Sequence, residues 1–266
     1  TVTNFIKAIK RAKKIIKDFD PDIVVGVGGY VTAPVIYAAH KLKVKTFIHE
    51  QNSIPGLSNK FLSKYADKIG VSLPGSIKYF PDNKVILTGN PRSEIAVKAK
   101  PIDKGKYQLS KNKQLILIVM GSLGSKVMND RLFNMLSTFN NKDYEVLYVT
   151  GKDYYEQVKN KKVPNNVKVV AYLDDILSVM KATDLIVTRT GASTISEITA
   201  IGLPSIVIPS PYVTNNHQYK NALELSSKNA AVIIEEKDLK GDILVRTIDN
   251  ILIDKNKYDN MKKNAK

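Results

Sequence analysis

Asp184-Leu185-Ile186-Val187-Thr188-Arg189-Thr190-Gly191-Ala192-Ser193-Thr194-Ile195-Ser196-Glu197, closed by Gly202-Leu203-Pro204, decides the fold. The run from Asp184 to Val187 reads as a buried strand, and a small-residue turn and a helix start follow it. A strand, a tight turn and a helix N-terminus together make an anion site. Unpaired N–H groups and the helix dipole point at one spot there. Glu197 sits one turn into the helix, where a carboxylate can accept bonds from a sugar diol. The spacing Thr194-x-x-Glu197 also fits a capping box, which needs no ligand.

Outward from this unit, strand and helix signals alternate along the chain. Strands are expected at Asp22–Gly26, Val44–His49, Lys68–Ser72, Val85–Thr88, Gln114–Met120, Glu145–Thr150, Val167–Ala171, Asp184–Thr188, Pro204–Pro209 and Ala231–Ile234. Most are short β-branched runs bounded by Gly, Pro or Asn, the mark of strands buried on both faces. Amphipathic segments lie between them. This is the βαβ alternation of parallel sheets. The first Gly turn, Gly26-Val27-Gly28-Gly29, is echoed by Gly121-Ser122-Leu123-Gly124. Two doubly wound, Rossmann-like α/β domains facing a cleft are expected, over residues 1–94 and 113–266. The polar stretch 95–112, with Pro101 and Gly105, reads as the linker.

At 266 residues there is room for two such domains. The longest apolar run, Leu115 to Met120, is far too short to span a bilayer. The absence of Cys excludes disulfides and thiolate metal sites. A formal net charge of +16 attracts nucleic acid, anionic membrane or phosphorylated ligands. The lysines are scattered and alternate with Asn, so an AT-rich genome accounts for many of them. No helix-turn-helix, zinc-finger or aromatic-basic pattern accompanies the charge, and a nucleic-acid partner is not expected. The chain starts inside an expected helix without an initiator Met, and reads as a fragment.

Gly26-Val27-Gly28-Gly29-Tyr30 lacks the dinucleotide spacing, and no Walker lysine follows a strand, so no nicotinamide cofactor is expected. His49-Glu50-Gln51-Asn52 follows a strand, where side chains project into a ligand crevice. No second His stands at metal-ligand spacing, and hydrogen bonding to a polyhydroxyl ligand is the better use. Arg92, in Asn90-Pro91-Arg92, is placed to pair with phosphate or else is a solvated loop residue. Asn215 to Ala222 opens a helix whose amides suit sugar hydroxyls, or whose Asn215 or Asn216 simply caps it. The N-terminal helix carries a core stripe of Phe5, Ala8, Ile9, Ala12, Ile15, Ile16 and Phe19. At about 100° per residue, Ile6 lies off that stripe beside Lys10, Lys13 and Lys17. Such a ring fits a membrane-surface contact, although one exposed Ile is also ordinary.

In this order, Gly26 to Pro34, His49-Glu50-Gln51-Asn52, Gly89-Asn90-Pro91-Arg92, Gly121-Ser122-Leu123-Gly124, Arg189 to Glu197 and His217-Gln218-Tyr219-x-Asn221-Ala222 resemble the MurG family. These peptidoglycan glycosyltransferases add N-acetylglucosamine to lipid I. The resemblance runs over nearly the whole chain. It implies a GT-B fold and UDP-N-acetylglucosamine as donor, held mainly by the C-terminal domain, with no cofactor or metal. Glu197 would hold the ribose hydroxyls, and backbone near Leu173 would face the uracil. Ser122 and the turn Gly191, Ala192, Ser193 and Thr194 would meet the diphosphate, with Arg92 assisting. Gln218 and Asn52 would bind the sugar hydroxyls. The family often has a second Gln where this chain has His217. The base is unassigned; His49 is the in-chain candidate.

The same resemblance implies inverting transfer to the muramyl C4 hydroxyl, giving lipid II, by a peripheral enzyme on the cytoplasmic face of the plasma membrane. Its partners would be undecaprenyl-linked lipid I and an anionic inner leaflet. A family member also has an earlier strand with a Gly-rich loop and a last helix crossing back. Activity is therefore expected of the full-length parent rather than of this fragment alone. Rival readings are a GT-B diacylglycerol glycosyltransferase, a UDP-sugar 2-epimerase, and a non-catalytic subunit binding UDP-sugar or membrane.

Overall fold

The computed structural model describes residues 2–121 and 124–266. It divides into two compact units, residues 1–90 and 91–266. All ten expected strands are present, with ends within two residues of expectation. Their short β-branched runs are legible because a parallel strand is buried on both faces.

The first unit holds β1 (Ile23–Gly26), β2 (Lys45–Glu50), β3 (Lys68–Val71) and β4 (Val85–Leu87). They form one parallel sheet in the order β1-β2-β3-β4. Its helices are α1 (Val2–Phe19), α2 (Thr32–Lys41) and α3 (Leu57–Leu62). Ile36, Ile48, Leu62, Ile69 and Val71 form the core beneath the sheet. Helix α1 docks on α2 through Ala12, Ile16, Ala38 and Ala39, with Ile9 alongside. The expected stripe on α1 is therefore narrower than its sequence suggests. Ile15 is 56% exposed and Phe19 79%. One small-residue neighbour covers a single i, i+3, i+4 row, and these two fall at its margin.

The second unit holds β5 (Leu115–Val119), β6 (Glu145–Val149), β7 (Val167–Val170), β8 (Leu185–Thr188), β9 (Ser205–Val207) and β10 (Ala231–Ile233). The order is β10-β9-β8-β5-β6-β7, all parallel. Counted from β5, this is the doubly wound arrangement, and the direction of winding reverses between β5 and β8. Helices α4 (Pro91–Lys98), α5 (Lys126–Met135), α6 (Lys152–Val158), α7 (Ile176–Lys181), α8 (Ala192–Ile201), α9 (His217–Ser226), α10 (Ile243–Ile253) and α11 (Lys255–Ala265) complete it. Every residue of β5 and β8 is buried. Ile116 and Ile118 enter one core, while Leu115, Leu117 and Val119 enter the other. The period-two alternation of a strand thus feeds two apolar layers at once.

The stretch expected as a linker, 95–112, belongs to this second unit. Pro91 opens α4 at the helical position that tolerates it. Ala96 and Leu109 are buried in the second core, and the Ile102 N–H donates to Ser178 O at 3.0 Å. The segment is too short to show apolar periodicity, yet it is packed.

A buried relay ties α5 to the end of β6. Asn129 donates Nδ2–H to Thr150 O at 2.7 Å and accepts from the Tyr148 hydroxyl at 2.8 Å. Burial pushes the Tyr148 phenol well above its usual range. Gly124, at φ +75°, lies so close to Thr150 that a Cβ would stand 2.3 Å from that carbonyl. Only glycine fits there. Replacing Tyr148 with Phe leaves the Asn129 oxygen buried without a donor. It should therefore lower stability by about 1–3 kcal/mol, measured as a drop in the urea unfolding midpoint. An unchanged midpoint would remove the relay from the account.

Candidate functional site

The winding reversal sets the carboxyl ends of β5 and β8 side by side, where ligands of such sheets bind. Beyond β8 come Arg189, Thr190 and Gly191, and α8 starts at Ala192. Gly191 is the extended N-cap residue and no side chain caps the helix. Thr194 lies inside the helix rather than at its cap. The capping-box reading of Thr194 and Glu197 is thus corrected: the helix begins earlier than that spacing requires. The first N–H groups of α8 therefore have no side-chain cap. Gly191, Ala192 and Thr194 are half-buried and Ser193 is exposed. Ser122, also expected at the diphosphate, lies outside the described residues.

The turn is fixed from below. Arg189 is buried and donates to Ile208 O at 3.0 Å and to Glu236 Oε2 at 2.8 Å. Thr190 donates its hydroxyl to Gln218 O at 2.7 Å and accepts Asn221 Nδ2–H on its carbonyl at 3.2 Å. Gln218 in turn accepts the Ser210 N–H on its side-chain oxygen at 2.9 Å. The start of α9 and the segment after β9 are thereby tied to the turn. Asn215 and Asn216 both adopt left-handed backbone and neither caps α9 with its side chain. The simple capping reading fails there too. Sequence reasoning missed Arg189 and Glu236 as a pair, because nothing in either segment signals the other.

Glu197 lies in the second turn of α8 and is 5% exposed. Its Oε1 accepts two N–H groups from Arg92, Nε at 2.8 Å and a terminal nitrogen at 2.6 Å. Arg92 is not a loop residue: it sits in the first turn of α4, which packs along α8. Ser93 next to it donates to Ser196 O at 3.2 Å. Leu173 has its side chain in the core, while neighbouring Tyr172 is 52% exposed.

In the first unit, β2 runs on to Glu50, and His49 and Glu50 are both buried. The expectation that all four residues of His49-Glu50-Gln51-Asn52 project into a crevice is corrected. Glu50 is consumed by the protein. It accepts from the Asn52 N–H at 3.0 Å, the Gly56 N–H at 3.1 Å and Asn59 Nδ2–H at 2.8 Å. His49 Nε2 donates to Gly89 O at 2.9 Å, because a carbonyl only accepts. Its Nδ1 then accepts from Gln51 Nε2 at 3.3 Å. Gln51 also donates to Val27 O at 3.1 Å. These residues gather the loops that follow β1, β2 and β4. Asn52 is half-buried at the edge of the cluster.

On α1, Ile6 is 49% exposed, Lys10 and Lys17 are exposed, and Lys13 is half-buried. No helix among the described residues is long and apolar enough to cross a membrane. Among them, no group of three or more His, Cys, Asp or Glu is arranged to hold a metal ion.

Arg189→Met should cost about 3–5 kcal/mol by stranding the buried Glu236 carboxylate. Adding Glu236→Met should restore much of it. Urea unfolding of the single and double variants checks this. Equal losses in both would show that the stranded charge is not the cause.

The glycosyltransferase family 28 N-terminal domain matches residues 1–71, and the C-terminal domain of the same family matches residues 115–266. A Halalkalibacterium halodurans protein named UDP-N-acetylglucosamine–N-acetylmuramyl-(pentapeptide) pyrophosphoryl-undecaprenol N-acetylglucosamine transferase is 48% identical; the match covers 100% of this chain and 75% of that protein. A Bacillus cereus transferase of the same name, numbered 1, is 47% identical over 100% of this chain and 74% of its own. The crystal structure of Acinetobacter baumannii MurG superposes with a TM-score of 0.80 at 26% identity, covering 100% of this chain and 75% of that one. With two parallel α/β units of this topology and relatives this similar, the chain belongs to glycosyltransferase family 28, in its MurG branch.

Proposed function

We propose that the protein is an inverting hexosyltransferase. It moves N-acetylglucosamine from UDP-N-acetylglucosamine to the C4 hydroxyl of the muramyl sugar of lipid I, giving lipid II for peptidoglycan. The carrying observation is the turn after β8. An uncapped helix start at the winding reversal has a buried carboxylate, Glu197, in the second turn of the same helix. The Halalkalibacterium halodurans relative carries the name of this reaction.

The acceptor hydroxyl attacks the anomeric carbon, the glycosidic bond forms as the O–H bond gives up its proton to solvent water, and the bond to the diphosphate oxygen breaks. Negative charge grows on the departing UDP. Backbone N–H groups of Gly191, Ala192, Ser193 and Thr194 meet it, preorganised by the helix and by the Arg189 and Thr190 anchors. Glu197 accepts from the ribose hydroxyls, and backbone at Leu173 faces the uracil. Gln218, its oxygen held by Ser210, offers its NH2 to the sugar hydroxyls, with Asn52 as a second contact. His49 has both ring nitrogens engaged and holds loops in place rather than taking the acceptor proton.

A lipid-linked acceptor requires the enzyme to work at a membrane surface, here proposed as the cytoplasmic face of the plasma membrane. Ile6, with Lys10, Lys13 and Lys17, supplies an apolar point in a basic ring, suited to an anionic leaflet. Turnover of labelled UDP-sugars with lipid I against diacylglycerol tests the whole reading. Transfer to lipid I alone supports it, transfer to diacylglycerol supports a glycolipid synthase, and donor binding without turnover supports a non-catalytic subunit.

Glu197→Ala should weaken UDP-N-acetylglucosamine binding by about 1.5–3 kcal/mol, the worth of hydrogen bonds to a charged group. Equal affinity in calorimetry would remove Glu197 from the site. Changing Lys10, Lys13 and Lys17 to Gln should lower co-sedimentation with anionic vesicles at low salt, at about 1 kcal/mol per Lys. UDP affinity should not move. Co-sedimentation that stays the same would make the lysines a solvated face.

A further inference from the structure

We infer that Arg92 is a positioning residue for the donor's ribose: it fixes the Glu197 carboxylate for the diol instead of touching the diphosphate. This rests on the assignment of Glu197 to the ribose and deepens it. The geometry is specific. Arg92 Nε and one terminal nitrogen both reach Oε1 of Glu197, at 2.8 and 2.6 Å. Among the described residues, Oε2 accepts no bond. A carboxylate oxygen has two lone-pair sites, and the fork fills both on Oε1. The plane of the carboxylate is then set, and Oε2 is the acceptor presented to a ligand.

Burial makes this fixing matter. The Glu197 side chain is 7% exposed and that of Arg92 is 42% exposed. A buried carboxylate needs a compensating partner, and here the partner approaches from the solvent side. The two residues are 105 positions apart, and the contact between α4 and α8 brings them together. Ser93, donating to Ser196 O, fixes the register of the two helices. A lysine at position 92 would keep the charge but lose the fork.

Calorimetry with UDP, 2′-deoxy-UDP and UMP separates the two roles for Arg92. The parent chain should prefer UDP over 2′-deoxy-UDP by about tenfold, the worth of one hydrogen bond to a charged group. In Arg92→Gln that preference should fall to about threefold or less, while the ratio of UDP to UMP affinity holds. Arg92→Lys should show the same loss at smaller size, and it guards against a Gln variant that fails to fold. Arg92→Gln combined with Glu197→Gln should discriminate no worse than Glu197→Gln alone. A kept ribose preference with a collapsed UDP-to-UMP ratio would overturn the inference and put Arg92 on the diphosphate. If the parent itself bound UDP and 2′-deoxy-UDP equally, the ribose role of Glu197 would fail first, and the inference with it.

Discussion

The pairing of β5 with β8 is the constraint on which the second unit depends. Both strands are buried on both faces, and they stand together although two strands separate them in sequence. Their neighbours wind away in opposite directions. In such an arrangement no crossover covers the two carboxyl ends at that point. The turn after β8 leads into α8, whose N-terminus no side chain caps. The chemistry proposed for that turn, departure of a diphosphate, is served by fixed donors.

Within each unit, taken by itself, buried polar groups hold the protein together. Arg189 and Glu236 form a buried pair that links the ends of β8 and β9 to the segment after β10. Glu50 organises the loop after β2 through three residues, and His49 reaches across to Gly89. Buried ion pairs of this kind are expensive to break and contribute position more than stability.

The strands, the two-unit organisation and the turn at Gly191 were legible in the sequence because they are written locally, in β-branched runs and small-residue turns. Most of the errors come from partners distant in sequence, and one comes from where a helix starts. Thr194-x-x-Glu197 has the spacing of a cap, and only the helix start at Ala192, with Arg92 on Glu197, shows another arrangement. His49 and Glu50 look like ligand contacts until Gly89 and Asn59 are seen to satisfy them. Ile15 and Phe19 read as core on α1, and the breadth of α2 decides otherwise. Residues 95–112 lack periodicity, but Ala96 and Leu109 are buried by the second unit.

A crystal structure of the protein with UDP-N-acetylglucosamine is the most direct test. Diphosphate oxygens should lie within hydrogen-bond distance of the N–H groups at Ala192 to Thr194 and a ribose hydroxyl on Glu197 Oε2, with the Arg92 fork still on Oε1. A nucleotide bound away from the carboxyl ends of β5 and β8, or a ribose that makes no contact with Glu197, would contradict that arrangement.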